Sequence, residues 1–289
     1  MGFDPYTALW VSYSSLSDFT QCPRSYYLKN VYRDKASGKK IKLVSPPLSV
    51  GTAVHEVIEM LASLKTDARF KKPLLVSLDE AWQKVHGKLG GFFTAETEDV
   101  YKERAKAMLR RVTEHPGPVA RKAVKITMSL PHYTFSEHDN IILCGRIDWL
   151  EYLEESDSVH IIDFKTGKGD EPGDSLQLPI YYLLVKNCQR RAIAKASYWY
   201  LDRSDDLSEQ SLPNPTESES RIMEVAKQIK LAKQLDRFKC PKGKKGCLYC
   251  HQYEAILEGN AELVGSDERS LMYALDPSLQ DEQGGSIIL

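Results

Sequence analysis

The stretch "IIDFKTG", residues 161 to 167, sets two charges into an apolar strand. Val159, Ile161, Ile162 and Phe164 mark it as buried, and a buried charge costs several kcal/mol unless it is paired or holds a metal. Asp163 and Lys165 are two apart, so their side chains leave one face of the strand while Phe164 points to the other. Asp148, in "CGRIDW", lies on the preceding strand, and a short hairpin brings the two carboxylates side by side. Neighbouring carboxylates repel unless a cation sits between them, and oxygen ligands so placed suit Mg²⁺ or Mn²⁺. A lysine beside such an ion can orient a water, favour its deprotonated form and stabilise a charged, phosphorane-like transition state. Taken alone, an Asp-x-Lys is also what a strand end looks like where charges reach water.

Two further features converge on this pair. His55 sits on a helix of otherwise apolar residues, "VGTAVHEVIEMLASL", with Glu59 one turn later on the same face. Gln177 and Tyr181 are likewise one turn apart, on the helix after the lysine strand. Singly, each has a plainer reading: a structural histidine, and a tyrosine in the core of an amphipathic helix. In order, however, "GTAVHEVIE", "GRID", "DFK" and "QLPIY" resemble the PD-(D/E)XK nuclease superfamily in its RecB-like branch, over roughly residues 12 to 255. The resemblance implies a restriction-endonuclease-like α/β fold, a mixed sheet core flanked by helices. It also implies that His55, Asp148, Asp163 and the Phe164 carbonyl hold the metal, that Lys165 is the catalytic lysine, and that Gln177 and Tyr181 position the DNA strand and the lysine. Asp163 stands where some members carry Glu. Glu59 has no firm place in the pattern beyond supporting the ligands.

Of six cysteines, Cys144 and Cys188 lie among apolar residues and read as small core hydrophobes. Cys240, Cys247 and Cys250 follow a C-x₆-C-x₂-C spacing and need a fourth ligand. His251 would give a local zinc site, but it adjoins Cys250; Cys22, in "FTQCPRSYYLK", is the better candidate. The resemblance supports Cys22. Nucleases of recombination helicase-nucleases and exonucleases of CRISPR adaptation carry one cysteine before and three after the nuclease motifs, as ligands of a 4Fe-4S cluster. The set therefore implies an iron-sulfur clasp between the two ends of the domain, with Zn²⁺ as the alternative.

The elements that must position these groups are legible in outline. Helices are expected over 12 to 32, from Gly51 onward, over 78 to 90 and over 97 to 115. Strands follow at 121 to 130, 140 to 153 and 158 to 167, then the "LQLPIYYLLVKN" helix capped by Asp174 or Ser175, a strand at "AKASYWYL", and a helix over 217 to 237. This gives one nuclease domain over 1 to 258: a helical part about 12 to 118, a mixed sheet core about 119 to 201, and the C-terminal helix and cysteines about 217 to 258. Residues 259 to 289 are polar and read as a loosely ordered tail.

The chain has 289 residues, 42% hydrophobic and 27% charged, as in globular proteins. The absence of a long apolar run, a signal-peptide pattern or a myristoylation pattern points to a cytoplasmic protein with no membrane partner. The net charge of −1 hides basic clusters at Arg24 to Lys42 and Arg237 to Lys245. Arg24, Lys242, Lys244 and Lys245 are candidate DNA contacts, with Tyr26, Tyr27 and Tyr249 as candidate stacking residues; solvated loops and core tyrosines are the alternatives. The resemblance implies a metal-dependent deoxyribonuclease, an exonuclease on single-stranded DNA ends in DNA repair, recombination or CRISPR spacer acquisition. The alternative is a catalytically silent DNA-end-binding or scaffold module. No G-x-x-x-x-G-K-[ST] occurs, so unwinding would fall to a helicase partner; an integrase is the other expected partner.

Overall fold

The computed structural model describes residues 4–276. β1 (Leu9–Val11) leads into α1 (Tyr13–Gln21), started by a reciprocal cap in which Ser12 and Ser15 each accept the other's amide. Cys22 breaks the helix with an extended backbone (φ −166°, ψ 114°), and α2 (Pro23–Tyr26) restarts on Pro23, which suits a first helical turn. A π-helical turn at Tyr27–Val31 follows. The expected single helix is thus broken, and the break leaves the Cys22 sulfur beside a helix N-terminus.

After β2 (Lys40–Val44), three helices form one layer: α3 (Pro46–Leu61), α4 (Leu74–Trp82) and α5 (Ala95–Glu114). α3 begins earlier than Gly51, because Pro46 and Pro47 fit its first turn. α4 ends at Trp82 rather than near 90, and Gly91 (φ +80°) turns the chain where a side chain would strike the backbone of Ser45 at 2.8 Å. Then come β3 (His132–Ser136), β4 (Ile141–Cys144), β5 (Trp149–Leu153), β6 (Ser158–Lys165), α6 (Gln177–Cys188), β7 (Ala192–Tyr200), β8 (Ser208–Gln210) and α7 (Pro215–Gln234). The described chain closes with α8 (Leu248–Leu257), β9 (Glu262–Ser266) and β10 (Ser270–Ala274).

The result is a mixed α/β fold with three sheets, ordered β1-β4-β3, β2-β10-β9 and β5-β6-β7-β8. β6 lies inside the last of these, antiparallel to β5 and parallel to β7. Its alternation divides the core. Val159 and Ile161 pack with α1, α6 and α7 on one face; Ile162 and Phe164 pack with α3, α4 and α5 on the other.

Three expectations are corrected. Residues 121 to 130 are not a strand: Lys122 and Val124 hydrogen-bond to β5 only briefly, and the strand is His132–Ser136, beyond Pro131, which has no amide to donate. Residues 140 to 153 are two strands, since β4 pairs with β1 and β3 whereas β5 pairs with β6. The chain changes sheet at Gly145–Asp148, the "GRID" motif itself, where a side chain on residue 145 would sit 3.0 Å from Leu184. Residues 262 to 274, expected in a loose tail, form β9 and β10, and β10 pairs in parallel with β2. Polar composition concealed them, because strands that cover a sheet edge at the surface need little apolar sequence. The ordered fold therefore runs past 258, and residues 277 to 289 of that expected tail lie outside the described residues.

Candidate active site and cysteine cluster

The site is built where β6 emerges. The register pairs Trp149 with Ile162, so Asp148 leaves the sheet beside Asp163. Asp148 Oδ2 accepts the Phe164 amide at 3.0 Å and stands 3.4 Å from His55 Nδ1. α3 delivers His55 across the Phe164 ring, edge to face at 6.4 Å. Glu59, one turn on, is 3.9 Å from the same His55 nitrogen. His55, Glu59 and Asp148 can each turn a ligand atom to within 4.8 Å of the others.

Asp163 is buried among these groups. Its Oδ1 accepts from Gln177 Nε2 at 2.7 Å. Its Oδ2 is 3.0 Å from Lys165 Nζ but poorly aligned, and it has no hydrogen-bond partner. Burial pushes Asp148 up to about 7, against the pull of the Phe164 amide. Burial, and then the Asp148 charge, push Asp163 up to about 7 as well. Burial also lowers the His55 pKa, favouring the neutral imidazole that ligates metals. Two adjoining buried carboxylates whose pKa values are raised and a neutral histidine fit a hard divalent cation.

Lys165 is gripped on several sides: Asp163, Glu171 Oε2 at 2.7 Å, the Gln177 side-chain oxygen, and the Tyr198 ring 4.8 Å from its Nζ. Burial works against its charge, but Asp163 and Glu171 outweigh it and raise the pKa. Glu171 is itself held by Tyr13 (2.6 Å) and Ser175 (2.5 Å). Burial would raise its pKa, yet Lys165 and these hydroxyls draw it down. Gln177 donates also to Tyr181, at 3.2 Å, so the "QLPIY" helix ties the acid and the lysine into one network. Sequence reasoning missed Glu171, Tyr13 and Ser175; nothing sets Glu171 apart from the other acids of "GDEPGDS". It under-weighted Glu59, whose helical spacing from His55 was visible.

The four cysteines named from sequence also meet. Cys22, Cys240, Cys247 and Cys250 bring their sulfurs within 4.8 Å of one another, with Cys22 and Cys250 fully buried. Cys247 opens α8: burial disfavours its thiolate, but the Cys250 and Tyr249 amides outweigh burial and lower its pKa to about 7. Cys144 packs in the core, 3.4 Å from the Val11 carbonyl, and Cys188 lies near His132; neither joins the cluster. Arg24 meets Glu254 in a bidentate pair, 2.5 and 3.0 Å, beside the cluster. Lys242, Lys244 and Lys245 are exposed on the loop between the cysteines. Tyr26 is buried; Tyr249 is 44% exposed.

A nuclease-type carboxylate and lysine site on a mixed sheet is what the PD-(D/E)XK nuclease superfamily is built on, and the model of that superfamily matches residues 10–255; the chain belongs to it. Among curated proteins it is similar to a subunit of the ATP-dependent helicase/deoxyribonuclease of Clostridium novyi (strain NT), 27% identical over 187 residues, 56% of this chain and 16% of that protein. It is also similar to the corresponding ATP-dependent helicase/deoxyribonuclease subunit of Clostridium tetani (strain Massachusetts / E88), 24% identical over 231 residues, 68% of this chain and 20% of that protein. The chain thus spans about a sixth to a fifth of the length of these relatives. Among the described residues no helix is long and apolar enough to cross a membrane.

Proposed function

We propose that the chain is a divalent-metal-dependent deoxyribonuclease that hydrolyses phosphodiester bonds at single-stranded DNA ends. The observation that carries this reading is the convergence of Asp148, Asp163, His55 and Lys165 around the Phe164 main chain. Asp148, Asp163, His55 and the Phe164 carbonyl would hold Mg²⁺ or Mn²⁺, with Glu59 beside them. When bound, such an ion polarises a phosphoryl oxygen and lowers the pKa of water. Lys165 presents a fixed positive charge where negative charge grows in the transition state. Glu171 and Gln177 hold that ammonium in place, and Tyr181 braces Gln177. The alternative of a silent end-binding module is disfavoured because none of the four groups is missing. End-labelled single-stranded DNA incubated with Mn²⁺ tests this: wild type should degrade it and Asp163→Ala should not. Equal DNA survival for both would leave the silent module.

The names of the relatives suggest a helicase partner; the family resemblance suggests a role in repair, recombination or CRISPR spacer acquisition. The exposed Lys242, Lys244 and Lys245 would contact backbone phosphates, and Arg24 contributes less because Glu254 neutralises it. The four cysteines form a structural metal centre. The family resemblance speaks for a 4Fe-4S cluster. The 3.8 Å between the Cys247 and Cys250 sulfurs instead favours zinc, since two sulfurs about 2.3 Å from one tetrahedral ion stand about that far apart. Metal analysis of anaerobically purified protein decides it: brown protein with iron and sulfide, or colourless protein with one zinc. In either case Cys22→Ser should lose the metal and Cys144→Ser should keep it.

A further inference from the structure

The catalytic groups do not fill their surroundings. Along α3, beside His55 and Glu59, runs an open cleft of about 630 Å³, of a size that takes a nucleotide-sized ligand. From α3 and the turn just past it come Thr52, Glu56, Glu59, Met60 and Ser63. The same cleft is lined by two cations, Lys125 and Arg146. Lys125 comes from the segment that skirts β5, and Arg146 from the crossover between β4 and β5, two residues before Asp148.

These two differ from the cations around them. Arg104 is paired with Asp202, Arg111 with Asp205, Arg121 with Glu151 and Lys122 with Glu154. Among the described residues Lys125 and Arg146 form neither an ion pair nor a side-chain hydrogen bond, and both are exposed. Two uncommitted cations lining one groove with a carboxylate and histidine cluster make a site for an anion that must also reach that cluster. The guanidinium offers a planar fork to phosphate oxygens, and the ammonium a point charge.

We propose that Lys125 and Arg146 are positioning residues that grip successive backbone phosphates of the bound DNA strand, so that the strand lies in this cleft with a phosphodiester against His55, Asp148 and Asp163. The inference rests on the nuclease reading above. The pair touches flanking phosphates rather than reacting atoms, so its effect falls on binding.

The test uses the whole chain with Lys125→Gln and Arg146→Gln combined. For cleavage of a short single-stranded oligonucleotide, the double variant should raise KM at least tenfold while kcat falls less than threefold. Binding is then measured in an Asp163→Asn background, where the DNA survives. There the double substitution should flatten the slope of log Kd against log salt by about 1.4, the loss expected for two single-strand phosphate contacts at ~0.7 each. Arg146→Lys, which keeps the charge, should restore most of the slope. An unchanged KM and slope in a variant that melts normally overturns the inference and leaves the nuclease reading standing. A fall in kcat with KM unchanged also overturns it, because the pair would then act in the chemical step. If wild type neither binds nor cleaves DNA, the nuclease reading falls and this inference with it.

Discussion

His160 and His55 each face a carboxylate, one inside the sheet and the other at the rim of a cleft. On β6 and β5, His160 Nδ1 meets Glu151 Oε2 at 2.9 Å, and its Nε2 meets Ser197 Oγ, on β7, at 2.8 Å. Arg121 caps the other Glu151 oxygen at 2.6 Å. Ser197, His160 and Glu151 follow the order of a hydrolytic triad, yet Ser197 is wholly buried and no substrate carbonyl can reach its hydroxyl. Both ring nitrogens are engaged, so this line of polar groups is a closed circuit that fixes the pairing of three strands. At the cleft, by contrast, His55 stands 3.4 Å from Asp148 and 3.9 Å from Glu59 and lines an open cleft. The lesson is that access to a cleft, not residue type, separates the two histidine–carboxylate pairs.

The comparison breaks most sharply on activity. Lys165→Ala should cut DNA cleavage per folded molecule by roughly 10²–10⁴-fold, as removal of a transition-state contact does, beyond any loss of stability from leaving Asp163 and Glu171 unpaired. Glu151→Ala should instead cost about 1–3 kcal/mol of stability by leaving the buried His160 Nδ1 without its partner, with cleavage per folded molecule nearly intact. Urea unfolding and a cleavage assay on both variants check the crossing. If Glu151→Ala abolished cleavage while the fold stayed stable, the sealed circuit would be part of the chemistry.

Acidity sharpens the contrast. Asp148 and Asp163 lie near 7 in the metal-free fold, above the ordinary carboxylate range. The folded state then binds more protons than the unfolded one, so their contribution is present at low pH and lost as pH rises toward and through 7. His55, lowered by burial, acts in the opposite sense but is one group against two. Metal-free protein should melt several degrees lower at pH 8 than at pH 5.5, and Mg²⁺ or Mn²⁺ should restore more stability at pH 8, where the carboxylates are free to bind it. Asp163→Asn should flatten this profile. A flat wild-type profile would mean that the two carboxylates are already compensated. The smallest effect is expected for Ser197→Ala, about 1 kcal/mol for one buried hydrogen bond, read by the same unfolding assay.

The chemistry of the site was legible because its residues sit at fixed offsets on single elements: Asp163 and Lys165 on one strand face, His55 and Glu59 on one helix face, Gln177 and Tyr181 one turn apart. Cys22 was legible only by resemblance, since no local spacing links it to residues more than two hundred positions away. Glu171 was hidden because it acts from a loop whose path depends on Tyr13 and Ser175. The strand break at Gly145–Asp148 was hidden for a different reason. Apolar runs on either side look continuous, and only the pairing of β4 and β5 with different partners separates them. β9 and β10 were missed because their value lies in covering β2, a non-local pairing that composition does not record.

That covering has a consequence during synthesis. Arg24 and Glu254 are 230 positions apart, and β2 pairs with β10 across a similar span. A ribosome adding about 5–20 residues per second takes on the order of 10–50 s to cross that distance. Through that interval the nascent chain presents a bare strand edge at Lys40–Val44 and an unligated thiol at Cys22. The domain therefore reaches its final form late and from its far end.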